Sequence, residues 1–183
     1  MLLLIIGMIF CYGQRNALSI AAPFMIAERH LSTAAMGVLL SAFFWSYSLM
    51  QVPAGWLVDR LGVRKGYGIG FALWSLASAF TGFAGSLTSL AALRVLLGMG
   101  QATAFPASAR AVSDSFKDAE RGTVTAGYLT GVRVGQALIS AAGAFLIAAS
   151  GFRFFFLVTG LVPLIWLVPW WFFLRRWERP QTE

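Results

Sequence analysis

Long apolar runs dominate this sequence and constrain its fold more than any other feature. Each of six runs has at least about 18 residues, the length that an α-helix needs to cross a bilayer. Only 11% of the residues are charged, less than half of the roughly 25% typical of soluble domains. We place the runs at Leu2–Ala27, Ala35–Val58, Tyr67–Ala84, Leu87–Val112, Thr123–Ala149 and Phe154–Leu174. The sequence therefore predicts an all-α, polytopic membrane helix bundle with six transmembrane helices.

The basic residues predict the orientation of this bundle. Arg29 and Arg153 lie in gaps on one side of the membrane. The other side holds Arg60, Arg64, Lys65, Arg110, Lys117, Arg121, Arg175, Arg176 and Arg179. Because cytoplasmic loops carry the excess of Lys and Arg, we expect both termini in the cytoplasm. At the cytoplasmic end of the last run, an interfacial aromatic belt is predicted from Trp166, Trp170, Trp171 and Trp177.

The first apolar run has a signal peptide as its alternative interpretation. A signal peptide begins with a positively charged segment and ends at a cleavage site of small residues. No basic residue precedes Arg15, and the hydrophobicity continues beyond it without a clean cleavage site. We therefore interpret the run as a membrane span, and expect that preceding residues are missing or that the start is misplaced.

Three arginines lie near the middle of predicted spans, where a charge is costly. They are Arg15, Arg94 and Arg133, and each costs about 2.5–3.5 kcal/mol at the centre of a transmembrane helix. All 7 acidic residues fall outside the predicted spans, so no intramembrane carboxylate of this chain neutralises them. We expect Arg15 and Arg94 to bind an anion in a hydrated cavity, rather than to cap carbonyls or pair with another segment. For Arg133, anion binding and pairing outside the chain are equal alternatives.

Helical periodicity groups further polar side chains with these arginines. Arg94 and Gln101 are seven residues apart and share one face of the fourth span. Tyr12 lies near Arg15 in the first span, and the second span adds Tyr47. A spacing of four residues, typical of close helix packing, recurs in the fifth span at Gly127, Gly131 and Gly135.

The gap after the second span contains the most specific motif in the sequence. It reads Gly55-Trp-Leu-Val-Asp59-Arg60-Leu-Gly62-Val-Arg64-Lys65-Gly66. This spacing resembles the signature loop between helices two and three of the major facilitator superfamily of transporters. The resemblance implies a gating network of charges and helix ends formed by Gly55, Asp59, Arg60, Gly62, Arg64 and Lys65. The alternative is that these charges only set the topology.

The fourth span strengthens this resemblance. Its segment Arg94-Val-Leu-Leu-Gly98-Met-Gly100-Gln101 is similar to the Arg-x-x-x-Gly-x-Gly pattern of the superfamily. Three other segments match as well: Tyr12-Gly-Gln14-Arg15, Trp45-Ser-Tyr47 and Ala104-Phe105-Pro106. Together they look like the anion:cation symporter branch, which takes up hexuronates, galactonate, glucarate and other organic anions. The resemblance implies that Arg15, Arg94 and Tyr47 contact the carboxylate or hydroxyl groups of a substrate.

The resemblance also implies an architecture and partners. Residues 1–183 would form a single six-helix domain, built from two inverted three-helix repeats. This domain is the amino-terminal half of a twelve-helix fold. The implied partners are a small organic anion, the lipid bilayer and a missing carboxy-terminal six-helix half. The implied location is the bacterial inner membrane.

Two glutamines depart from the pattern of that branch. Proton-coupled members carry an acid beside the first-span arginine and another seven residues after the fourth-span arginine. This chain has Gln14 and Gln101 at those positions. Glutamine has no titratable group, so we expect weakened or absent proton coupling through these sites. Gln14 and Gln101, with Tyr12 and Arg133, complete the set of candidate substrate-binding residues.

We predict a secondary transporter of sugar acids, such as hexuronate, galactonate or glucarate, that works by alternating access. The alternatives are a superfamily carrier of another substrate class and a truncated half without independent transport activity. The spans contain no phosphate-binding loop, metal-ligand spacing or nucleophile arrangement, so we predict no enzymatic activity, cofactor or metal. The net charge of +7 does not indicate nucleic acid, because the basic residues occupy short gaps rather than a soluble face.

Overall fold

The computed structural model describes residues 1–174, and every regular element within them is a helix. The elements are α1 (Leu2–Arg29), α2 (Thr33–Thr81), α3 (Leu87–Gln101), α4 (Ala104–Ser115), α5 (Asp118–Leu161), a 3-10 helix (Val162–Trp166) and α6 (Leu167–Leu174). Four residues used in the predictions above lie outside the described residues: Arg175, Arg176, Trp177 and Arg179.

Within residues 1–174, four helical stretches are long and apolar enough to cross a membrane, and two of them contain a sharp break. Thr33–Thr81 has 49 residues and Asp118–Phe172 has 55. As straight helices they would be roughly 70–80 Å long, more than twice the hydrocarbon thickness of a bilayer. Each is broken at a glycine, because Gly62 and Gly151 both have φ 78° and ψ 160°, a conformation essentially confined to glycine. The breaks leave six helical segments, and the predicted all-α membrane fold is confirmed.

The helices differ from the predicted spans mainly at their polar ends. The gaps predicted after the second and fifth spans are helical except at Gly62 and Gly151, because a helix satisfies its own backbone hydrogen bonds and can continue beyond the hydrocarbon. The fourth predicted span is interrupted at residues 102–103, where the Thr103 hydroxyl donates to the Gly100 carbonyl oxygen at 2.9 Å. The last span includes a 3-10 turn beside Pro163, which has no backbone N–H to donate.

Two tryptophans of the predicted aromatic belt lie in the core instead. Trp166 stacks on Trp170 with 4.6 Å between ring centroids, and both side chains are buried. Their indole N–H groups donate to the backbone carbonyl oxygens of Leu3 and Arg64, each at 3.1 Å. The belt prediction is therefore wrong for this pair, because a satisfied indole N–H lets the ring pack in a core. Trp171 is exposed.

Close packing fixes α1 against the first part of α5. A Cβ atom added at Gly131 or Gly135 would collide with the backbone carbonyl oxygens of Ile5 and Ile9. Only glycine permits such an approach of two helices, so the packing role predicted for this stripe is confirmed at both positions. The contact lies about two to three turns before Arg15 and sets the position of that part of α1.

We expect Gly151→Ala to lower the free energy of unfolding by about 1–3 kcal/mol, because alanine is strained at a positive φ. Gly37→Ala is the matched control. A Cβ atom meets nothing within 4 Å at either position, but Gly37 lies inside a regular helix, where alanine stabilises by about 0.5–1 kcal/mol. Denaturant titrations in detergent measure both values. Equal effects of the two substitutions would contradict the assigned backbone conformation.

Candidate functional site

Two arginines from different helices meet inside the bundle. Arg15 lies midway along α1, and Arg94 lies at the midpoint of α3. Arg94 is 2% exposed, and Arg15 is partly buried. The guanidinium carbon of Arg15 is 5.0 Å from the centroid of the Phe43 ring, and that of Arg94 is 5.3 Å from the same centroid. The two cations therefore approach one ring of α2.

Gln101 on α3 connects the Arg15 side chain to the backbone of α1, the helix that carries Arg15. The Oε1 atom of Gln101 accepts a hydrogen bond from Nε of Arg15 at 3.0 Å. Its Nε2 atom donates to the carbonyl oxygen of Cys11 at 2.8 Å. Gln101 is fully buried and lies two helical turns after Arg94, as its spacing predicts. A neutral amide thus occupies the position from which a carboxylate would neutralise Arg15.

Two tyrosines contribute rings around the same guanidinium group. The guanidinium carbon of Arg15 is 4.3 Å from the ring centroid of Tyr12 and 4.5 Å from that of Tyr47. Tyr12 also makes an edge contact with Phe105, with 6.3 Å between the centroids. The structure therefore brings together five of the candidate residues, Arg15, Arg94, Tyr12, Tyr47 and Gln101. We call these residues, with Phe43, the arginine cluster.

The arginine cluster carries positive charge without a carboxylate. Among residues 1–174, the ion pairs formed by Asp59, Asp114 and Asp118 involve other arginines, and none reaches Arg15 or Arg94. The Nη2 atom of Arg15 and the Nε atom of Arg94 are buried and have no hydrogen-bond partner. A buried polar group without a partner costs about 1–3 kcal/mol, and more when it is charged. The cluster is therefore suited to bind an anion.

Gln14 does not belong to the arginine cluster. Its Nε2 atom donates to the carbonyl oxygen of Thr159 at 2.6 Å and to the Ser75 hydroxyl at 3.3 Å. The side chain therefore connects α1 to the second parts of α2 and α5. Adjacent residues on a helix point about 100° apart, so the neighbour of Arg15 in sequence faces another part of the bundle.

Arg133 also lies apart from the arginine cluster. It is exposed on α5, between Gly131 and Gly135, which face α1. Arg133 is two residues from each of these glycines, a separation that rotates its side chain by about 200° around the helix axis. Arg133 therefore points away from α1. Neither Arg15 nor Arg94 shares a contact with it.

Among residues 1–174, the signature-loop residues form contacts on both sides of the break in α2. Asp59 accepts from Nη1 of Arg110 on α4 at 3.1 Å, and Arg110 also binds Asp114 at 2.9 Å. The guanidinium carbon of Arg60 lies 5.2 Å from the Trp56 ring, and that of Arg64 lies 5.0 Å from the Trp171 ring. Gly62 forms the break in α2, Lys65 is exposed, and Gly55 is helical.

Sequence reasoning missed two members of these sites. Phe43 precedes Tyr47 by one helical turn, so the helical periodicity places both residues on one face of the second span. A phenylalanine in an apolar span nevertheless gives no signal that distinguishes it from an ordinary core residue. Arg110 was counted only for orientation, although it provides the partner of Asp59. Its position on another helix cannot be inferred from the signature motif itself.

Comparison with known proteins identifies the family. Residues 4–183 match the family described as the Major Facilitator Superfamily. The chain belongs to this superfamily. It is therefore a member of a transporter family and not of an enzyme family, as the sequence predicted.

Curated relatives from this superfamily include transporters of organic acids. The chain is 35% identical over 170 residues to a D-galactonate transporter of Escherichia coli O6:H1, which covers 93% of the chain and 40% of the relative. It is 33% identical over 173 residues to a galacturonate transporter of Dickeya chrysanthemi, covering 94% of the chain and 50% of the relative. A probable sulfoacetate transporter of Cupriavidus necator is 36% identical over 164 residues, which cover 90% of this chain and 38% of the relative. The chain thus spans about half or less of the length of these relatives.

A solved structure shares the superfamily fold. A bacterial homologue of the human lysosomal transporter Spinster, in an inward-facing and unoccupied conformation, superposes with a TM-score of 0.82. The match covers 93% of this chain and 41% of that protein, at 22% sequence identity. At this identity the similarity concerns the fold alone.

We expect Gln101→Leu to lower the free energy of unfolding by about 1.5–3 kcal/mol, because it removes a buried hydrogen bond to a charged group. Gln136→Leu is the control for amide removal, since Gln136 lies partly buried on α5 without a hydrogen bond among the described residues. Both values follow from denaturant titrations in detergent. A Gln101→Leu variant as stable as the Gln136→Leu variant would rule out the bridging role of the Gln101 amide.

Proposed function

We propose that this chain forms the substrate-binding six-helix domain of a secondary transporter for organic anions, and that its substrates are sugar acids. One observation carries the proposal: Arg15 and Arg94 meet inside the bundle without a carboxylate, and each has a buried nitrogen without a partner. A ligand carboxylate supplies the missing acceptor. Guanidinium groups bind carboxylates through parallel hydrogen bonds of the charge-assisted kind.

The rest of the arginine cluster suits a polyhydroxylated acid. Tyr12 and Tyr47 lie beside Arg15, 4.3 and 4.5 Å from its guanidinium carbon. Their phenol groups can donate to and accept from substrate hydroxyls. The names of the relatives support this assignment, because D-galactonate and galacturonate both combine a carboxylate with several hydroxyl groups.

Alternating access would expose this site to the two sides of the membrane in turn. At one end of the bundle, Asp59 at the end of the first part of α2 pairs with Arg110 on α4 at 3.1 Å. We propose that this pair belongs to the gate formed by the signature loop. Both side chains are largely exposed, at 64% and 45%, so the pair contributes only about 0–1 kcal/mol and can open without a large barrier.

A closed transport path requires a second bundle that faces this one. We propose that a carboxy-terminal six-helix half provides it, with the pathway between the two halves. The coverage of only 40% to 50% of two sugar-acid transporters supports this arrangement. The bacterial relatives support a location in the inner membrane, and the positive-inside rule supports cytoplasmic positions for both termini.

A sulfonated acid is the second candidate substrate. The relative named as a probable sulfoacetate transporter is 36% identical to this chain. A sulfonate, like a carboxylate, presents negatively charged oxygens to a guanidinium group. The arginine cluster is compatible with either anion.

We expect Arg15→Ala and Arg94→Ala each to weaken D-galactonate binding by at least about tenfold, because each removes a charge-assisted hydrogen bond of about 1.5–3 kcal/mol. Isothermal titration of the purified chain in nanodiscs measures the affinity. Titrations with neutral D-galactose and with sulfoacetate identify the substrate class. Arg133→Ala should leave the affinity unchanged, since Arg133 lies apart from the cluster.

Binding of D-galactonate that is indifferent to both Arg15→Ala and Arg94→Ala would overturn the proposed site. Stronger binding of D-galactose than of either acid would overturn the substrate class. A loss of D-galactonate affinity in the Arg133→Ala variant would show that Arg133 belongs to the binding site.

We also expect anion binding to be independent of pH between about pH 5.5 and 8, because Gln14 and Gln101 cannot titrate and a sugar-acid carboxylate stays ionised in this range. Gln101→Glu should weaken binding as the pH rises, since an ionised glutamate would compete with the substrate for Arg15. Affinities measured across the pH range test both statements. In liposomes, uptake driven strictly by a pH gradient and unchanged by Gln101→Glu would contradict the predicted loss of proton coupling.

A further inference from the structure

Among residues 1–172, Phe43 is the only aromatic residue whose ring contacts both arginines. Its ring centroid is 5.0 Å from the guanidinium carbon of Arg15 and 5.3 Å from that of Arg94. The side chain is fully buried, with 0% exposure. One aromatic ring of α2 therefore contacts a cation of α1 and a cation of α3.

This contact compensates a repulsive pair of charges. Arg15 and Arg94 are like charges near a single ring, and no carboxylate of residues 1–174 pairs with either of them. The faces of an aromatic ring are electrostatically negative and attract a cation placed over them. In a desolvated site this attraction is stronger than at an exposed one. The Phe43 ring is thus the shared source of negative potential for both guanidinium groups.

Neighbouring groups fix the Phe43 ring in place. It stacks on the Tyr47 ring with 5.7 Å between centroids and 20° between planes, and it makes an edge contact with Phe44 at 5.1 Å. A Cβ atom added at Gly98 would lie 2.7 Å from the carbonyl oxygen of Phe43, so glycine at this position lets α3 approach α2 closely. Gly98 is one helical turn after Arg94, and this approach brings Arg94 to the ring.

The aromatic contacts leave the hydrogen-bonding edges of the arginines available. A ring interacts with the face of a guanidinium group, whereas an anion binds its N–H groups in the plane. Gln101 occupies Nε of Arg15, but Nη2 of Arg15 and Nε of Arg94 have no partner. Ring and anion therefore do not compete, and a ring that fixes both guanidinium groups prepares them for one ligand.

We propose that Phe43 is a positioning residue for anion binding: its ring holds Arg15 and Arg94 by cation–π contacts with their N–H groups directed at a common carboxylate. This inference rests on the proposed function for its ligand, but the contact itself can be tested without one. Phe43 acts through the two arginines and does not touch the substrate.

Ring fluorination separates the electrostatic role of Phe43 from its packing. Fluorine withdraws electron density from the ring and weakens cation–π attraction while nearly preserving its size. We expect D-galactonate affinity of the nanodisc-embedded chain to fall stepwise with mono-, di- and trifluorophenylalanine at position 43, to a total of about five- to thirtyfold, as expected for a desolvated cation–π contact. The same series at Phe44, which is 57% exposed and contacts the Phe43 ring, should leave the affinity unchanged.

A double-mutant cycle provides a readout without ligand. We expect the effects of Phe43→Leu and Arg15→Met on the free energy of unfolding to be non-additive, because both remove the same contact. The control cycle pairs Phe43→Leu with Arg121→Met and should be additive. The Arg121 guanidinium binds Asp118 and the carbonyl oxygens of Ser113 and Phe116.

The outcomes distinguish this inference from the proposed function. A flat fluorination series at position 43, with Arg15→Ala still abolishing binding, overturns the positioning role and leaves the anion site intact. Absence of any sugar-acid binding in the unmodified chain overturns the proposed function. In that case, non-additive effects of Phe43→Leu and Arg15→Met on the free energy of unfolding support the contact between ring and guanidinium, and additive effects contradict it.

Discussion

Burying guanidinium groups in a hydrocarbon-facing bundle imposes the central constraint on this structure. Each arginine loses its water, and none of the acidic residues in the described part of the chain approaches Arg15 or Arg94. The protein compensates with groups that carry no net charge: the amide of Gln101 for one nitrogen of Arg15, and aromatic rings for the faces of both cations. Partial dipoles and ring quadrupoles lower the cost without cancelling the charge, so a net positive potential persists for an anionic ligand.

This compensation depends on how closely the helices approach one another. The arginine cluster draws on α1, α2 and α3, and glycines at the crossings set the distances between them. Gly98 lets α3 lie against the backbone of α2 at Phe43, and Gly135 lets α5 lie against α1. In a membrane, helix association relies on such packing rather than on the hydrophobic effect. Gly98 of the fourth-span motif therefore supports the geometry of the candidate site through the backbone.

The sequence predicts the helical fold and the central residues of the candidate site, but not the complete set of residues that form the site. The cost of charge in hydrocarbon selected Arg15 and Arg94, and the seven-residue spacing selected Gln101. The same cost predicts Arg133 in the site, but Arg133 is exposed. Gln14 is implied by the family resemblance, but its amide binds Thr159 and Ser75 instead. Periodicity describes faces within one helix, but not which face meets which neighbour. The partners of Asp59 and the role of Phe43 depend on those inter-helix contacts, and so required the structure.

The neutral compensation also bears on how such a site can couple to ions. A carboxylate beside Arg15 would titrate, and its protonation would change both the charge of the site and the availability of the guanidinium group. The Gln101 amide makes the same hydrogen bond at any physiological pH, and the Phe43 ring has no titratable group. The charge of the arginine cluster is therefore constant over this range, and binding a monovalent anion lowers it by one unit. The occupied and the empty cluster therefore differ by one unit of charge. A carrier built on this domain would return across the membrane with a different charge when empty than when loaded, unless titratable groups elsewhere in the complete transporter compensate for the difference.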